Sequence, residues 1–263
     1  MDSRNHPLSF RLEPVTIAVF LVAFTFLLAC IIVIYRSLNP AFLELPDFQN
    51  YSAGAERKAA FITFLEPMVV ARNKNLLKQR AELGSIAEKI SNDKSPNWAD
   101  KRFLDQLATL YHIDKTEFAG NEQLLNTLLY MVDVIPPALV VAQAANESAW
   151  GTSRFAREAN NLFGQWCYTK GCGLIPKART PGSSHEVRAF ENVEESIAGY
   201  FLNLNTHEQY AMLRDIRQSL RNSGQSVTAT SLADGLLYYS ERREAYVKDI
   251  KSMIRINRKY FSS

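Results

Sequence analysis

One carboxylic acid, Glu147, stands alone between Asp133 and Arg154, a stretch in which no other side chain ionises. Pro136-Pro137 and Gly151 bracket it, and Pro is tolerated at a first helical position as Gly is just past a helix end. The segment therefore reads as a helix with Glu147 in its last turn. Val140, Val141, Ala142, Ala144, Ala145 and Ala149 make that helix short-chained and apolar on nearly every face, so burial is expected. The negative end of a helix dipole and an apolar setting both disfavour a carboxylate. A carboxyl group that keeps its proton near neutral pH is what a glycosidase needs to protonate a departing oxygen. The competing reading turns Glu147 to solvent, or pairs it with Arg154 or Arg157.

Cys167 and Cys172, in Cys-Tyr-Thr-Lys-Gly-Cys, are close enough to close a small loop. Outside the cytoplasm a disulfide is expected there. Zinc would need two further ligands, and His112, His185 and His207 are far apart in the chain. There is no phosphate-binding Gly loop and no prominent Ser–His–Asp spacing. Neither a metal nor a cofactor is implied.

The elements that must position these groups follow from periodicity and turn chemistry. Val15 to Tyr35 holds no charge, Gly or Pro; at about 1.5 Å per residue it is long enough for a hydrocarbon core of roughly 30 Å. A transmembrane helix over 15–35 is expected, after a cytoplasmic tail of 1–14 and before a linker of 36–52. Arg4 and Arg11 before it favour a cytoplasmic N-terminus, which leaves the rest of the chain outside. Residues 53–132 read as a helical extension: Ala53 to Lys89, a break at Ser91–Pro96, then Asn97 to Tyr111 and Asn121 to Val132. The first of these helices is either a spacer from the membrane or packed on the catalytic region. Beyond Gly151, Leu174–Thr180 and His185–Phe190 read as a small hairpin across Pro181–Ser184. Asn192-Val-Glu-Glu195 and Thr206-His-Glu-Gln209 have the form of capping boxes. Final helices are expected over Thr228–Tyr238 and Glu241–Lys259.

Gln143-Ala-Ala-Asn-Glu-Ser-Ala-Trp-Gly151, followed by Asn160-Asn-Leu-Phe-Gly164, resembles the signature of glycoside hydrolase family 73. The resemblance covers residues 134–260. It implies a mainly α, lysozyme-like domain over 133–263 with a small β-hairpin lobe. It also implies an endo-type β-N-acetylglucosaminidase acting on bacterial peptidoglycan, held at the inner membrane with its catalytic domain on the periplasmic or cell-wall side. By that resemblance Glu147 is the general acid, and Trp150, Asn161, Phe163 and Trp166 line the glycan groove. The family's second carboxylate, where present, lies in the hairpin, where Glu186 is the best match. A functional Tyr near the C-terminus maps onto Tyr239, with Tyr246 further along. Without a second carboxylate, the substrate's own N-acetyl group would attack the anomeric carbon.

The 263 residues are 47% hydrophobic and 22% charged with a net charge of +3, a globular composition. Lys and Arg are dispersed, which argues against a nucleic-acid partner and suits a neutral glycan strand. Two rivals share these features: a lytic transglycosylase or muramidase of the same fold, and a non-catalytic glycan-binding scaffold.

Overall fold

The computed structural model describes residues 14–38, 44–118, 120–177, 182 and 184–262. The chain divides into Met1–Leu43 and a compact unit, Glu44–Ser263. The first contributes α1, Pro14–Leu38, whose side chains are described over 20–31 and at Val33. Phe20, Phe24 and Phe26 are exposed along it. The transmembrane span expected over 15–35 is not found as such: among the described residues no helix is long and apolar enough to cross a membrane. Residues 39–43 of the expected linker and all but the last residue of the tail lie outside the described residues.

The compact unit is built from α2 (Ala55–Ser91), α3 (Trp98–Leu110), α4 (Asn121–Met131), α5 (Pro137–Ser148), α6 (Arg154–Ala159), α7 (Val193–Thr206), α8 (Ala211–Asn222), α9 (Ala229–Ala233) and α10 (Glu244–Asn257). Local chemistry sets many of the boundaries. Asn97 and Asp100 form a reciprocal capping box that opens α3, and Asn192 accepts from the Glu195 amide to open α7. His207, rather than Thr206, is the cap at the next start: its ring accepts from Gln209 N, while Thr206 is still the end of α7. The helix expected over Thr228–Tyr238 is cut to α9 and a 3-10 turn at Asp234–Leu236. The reason is a backbone crossing: a Cβ on Gly235 would lie 2.3 Å from Leu213 Cα.

The β-lobe is a three-stranded antiparallel sheet rather than a simple hairpin. β3 (Glu186–Arg188) lies between β1 (Trp166–Cys167) and β2 (Gly173–Leu174). Trp166 pairs with Val187 and Leu174 with the same Val187 on its other side. Residues 178–180, at the end of the first expected strand, and 181 and 183, in the expected turn, lie outside the described residues.

The helical extension does not stand apart. Phe61, Leu65, Val69 and Leu76 of α2 share one apolar core with Leu139, Val140 and Ala144 of α5, and with Tyr246 and Ile250 of α10. A polar knot ties the same elements. Asp133, 2% exposed, accepts from Arg221 of α8 at both oxygens, with Arg80 of α2 at 3.3 Å and Arg217 of α8 at 3.7 Å. Nearby, Asn73 of α2 exchanges two hydrogen bonds with the Ile135 backbone. Thus α2 braces the segment from which α5 starts.

Candidate active site

α5 ends in three successive residues with positive φ: Ala149 at 51°, Trp150 at 59° and Gly151 at 79°. Ser148 fastens this turn, its hydroxyl donating to Ala144 O at 2.6 Å and accepting from Gly151 N at 2.8 Å. Gly151 is required twice over. Its φ suits glycine, and an added Cβ would lie 2.4 Å from the Phe48 ring. Gly151→Ala is expected to cost about 2–4 kcal/mol, combining left-handed strain with overpacking; urea denaturation would measure it, and a change below about 0.5 kcal/mol would contradict the packing described.

Glu147, on the last turn of α5, is half-buried rather than enclosed. Its Oε1 accepts from Tyr246 OH at 2.9 Å and from Asn146 Nδ2 at 3.1 Å. Its Oε2 faces Gly164, where a Cβ would lie only 3.9 Å away.

The Asn-Asn-Leu-Phe-Gly turn places that glycine. Asn161 is 1% exposed and its amide is used entirely within the protein. It donates to Gln165 O and Arg188 O, and accepts from the Phe163 and Gln165 amides. Its expected role in the groove gives way to a brace between the turn and β3, because no polar atom is left for a sugar. Phe163 is also buried, stacked on Tyr200 with centroids 4.1 Å apart. Trp150 packs edge-on against Phe61 of α2 under Lys58, so it is engaged by the extension. Of the four residues expected to line the groove, Trp166 presents the open surface. It is 56% exposed and stacks on His185.

Cys167 and Cys172 are joined by a disulfide. Glu186 sits behind that loop, 5% exposed, with Oε1 accepting from Gly171 N at 3.0 Å and Oε2 from Gly173 N at 2.9 Å. Both carboxylate oxygens therefore serve the loop.

The phenols gather around Glu147. Tyr239 stacks on Tyr246 at 5.5 Å and donates to Phe163 O at 2.9 Å, so Tyr246, not Tyr239, is the phenol bonded to the acid. Burial, reinforced by the charge of Glu147, pushes the Tyr246 hydroxyl far up. Burial likewise raises Tyr200 and Tyr239 well above the usual phenol range and Tyr210 to about 12. These hydroxyls are neutral donors at any physiological pH. Gln143, four residues before Glu147 on the same face of α5, links two of them: it donates to Tyr246 OH and accepts from Tyr200 OH. Gln143 is marked in the sequence by opening the Gln143–Gly151 motif and by its i to i+4 spacing from Glu147; nothing local marks Tyr200.

Two comparisons bear on this site. Residues 127–259 match the family model for Glucosaminidase, described as mannosyl-glycoprotein endo-beta-N-acetylglucosaminidase. The chain is 35% identical over 222 residues to "Protein bax" of Escherichia coli (strain K12), covering 84% of this chain and 77% of that one. No solved structure gives a significant match.

Proposed function

Because this chain belongs to the glucosaminidase family, we propose that it hydrolyses cell-wall glycan at the β-1,4 bond on the reducing side of N-acetylglucosamine, with Glu147 as the acid. The observation that carries this reading is the setting of Glu147. One carboxyl oxygen is fixed by Tyr246 and Asn146, while the other lies on the side of the exposed Gly164.

In the first step the Oε2 proton passes to the glycosidic oxygen as the bond from C1 to that oxygen breaks. With both oxygens of Glu186 held by backbone amides, the route favoured is substrate assistance. The N-acetyl oxygen forms a bond to C1 as the leaving sugar departs. Water then attacks C1, the bond to the N-acetyl oxygen breaks, and the Glu147 carboxylate takes a proton from that water. Trp166 offers an aromatic face to a sugar ring, and the disulfide-closed loop, bonded to Glu186, holds β3 beside it.

The anchor at the inner membrane, with the catalytic unit on the periplasmic or wall side, is part of the same reading. It is supported by the uncharged run from Val15 to Tyr35 and by the large apolar side chains exposed on α1, a surface that water disfavours.

Mass spectrometry of sacculi digested by the purified protein tests the bond cut. Reducing N-acetylglucosamine ends are expected. Anhydro-muramic acid ends would make it a lytic transglycosylase instead, and binding without any cleavage would make it a scaffold.

A further inference from the structure

Gln143 is wholly buried, and both ends of its amide are spoken for. Nε2 donates to Tyr246 OH at 2.9 Å, and Oε1 accepts from Tyr200 OH. Tyr246 OH in turn donates to Glu147 Oε1 at 2.9 Å. A phenol has one proton to give. Since the Gln143 amide supplies a proton to the Tyr246 oxygen, the proton of Tyr246 is left for Glu147.

Turning the amide over would reverse the chain. Tyr246 would then donate to Gln143, and its lone pairs would face Glu147 Oε1. That oxygen would have to take the acid proton to make a hydrogen bond, which would strip it from the oxygen beside Gly164. Direction therefore matters, and in the direction present Tyr200 donates to Oε1.

We propose that Gln143 is a positioning residue for the acid: bonded to Tyr200 at one end, its amide turns the Tyr246 hydroxyl onto Glu147 Oε1 and so leaves Oε2, beside Gly164, to carry the proton that is delivered. The consequence for catalysis rests on the glycosidase reading above, whereas the hydrogen-bond chain is independent of it.

Two variants test this, each checked for a native melting transition. Gln143→Leu removes the donor to Tyr246; Gln143→Glu keeps the shape but donates only while its own carboxyl is protonated. The readouts are kcat and KM on wall glycan across pH, and a carbon-13 titration of the Glu147 carboxyl, assigned by its loss in Glu147→Gln. Gln143→Leu is expected to lower kcat by up to about 10²-fold with KM nearly unchanged. Gln143→Glu is expected to be active in acid and to fail at a lower pH than wild type, as the introduced carboxyl ionises. The Glu147 carboxyl should titrate at higher pH in Gln143→Leu, because Tyr246, no longer polarised by the amide behind it, donates a weaker hydrogen bond to the carboxylate. The phenols facing it, Tyr200, Tyr210, Tyr239 and Tyr246, stay neutral over that range. An unchanged carboxyl titration in a folded Gln143→Leu, or wild-type kcat and pH profiles in both variants, would overturn the proposal. If the wild type itself cuts no glycan, the functional reading falls and the titration alone decides the role of Gln143.

Discussion

Glu147→Gln is expected to lower kcat on wall glycan by about 10²–10⁴-fold while leaving binding to sacculi and the melting transition near those of wild type. The amide has almost the same shape, and its oxygen can still accept from Tyr246 as Oε1 does now. What it lacks is a proton acidic enough to give to the departing oxygen. The loss should therefore depend on the leaving group. On an aryl glycoside whose phenolate departs without protonation, the variant should recover much of its first step, since the bond to C1 then breaks unaided. Equal losses on both substrates would shift the role of Glu147 from acid to mere binding. Digestion of sacculi at the wild-type rate would remove it from the mechanism.

The second large effect concerns stability. Asp133→Ala is expected to destabilise the protein by about 3–5 kcal/mol, a large part of the roughly 5–15 kcal/mol that holds a typical domain folded. Asp133 is the counter-charge for Arg221, Arg80 and Arg217. Arg217 is 1% exposed, and burial brings its guanidinium down to about 10 against the opposing pull of Asp133. Removing the carboxylate leaves that cation buried without its counter-charge. The knot joins α2 and α8 to the segment leading into α5, so the site should loosen with the fold. Urea denaturation reads the effect, and a loss below about 1 kcal/mol would show that the backbone carbonyls around Arg217 suffice. Those carbonyls are Val134, Tyr130 and Met131.

Much of the framework was legible because it is local. The α5 helix, whose end at Ser148 falls three residues before Gly151, the Asn97 and Asn192 caps and the Cys167–Cys172 loop all depend on residues within a few positions of one another. The reading failed where distant backbone intervened. The crossing of Gly235 over Leu213 shortened a helix that periodicity alone would have extended. The side-chain surroundings were out of reach for the same reason. Asn161 and Phe163 stand in the right motif, yet contacts to Arg188 and Tyr200 draw them inward.

The choice of Glu147 as the candidate acid needs nothing beyond one short stretch of chain. Its isolation among apolar residues, its place on a last helical turn and the motif around it all lie there. How that carboxyl is held is a matter of packing. Tyr246 and Tyr200 lie 99 and 57 positions away from the groups they serve, and Arg221 lies 88 positions from Asp133. Hydrogen-bond partners at such separations leave no period in a chain; they are set when α7, α8 and α10 close on α5. The order Glu147, Tyr246, Gln143, Tyr200 comes from that closure, and with it the choice of which carboxyl oxygen is free to act.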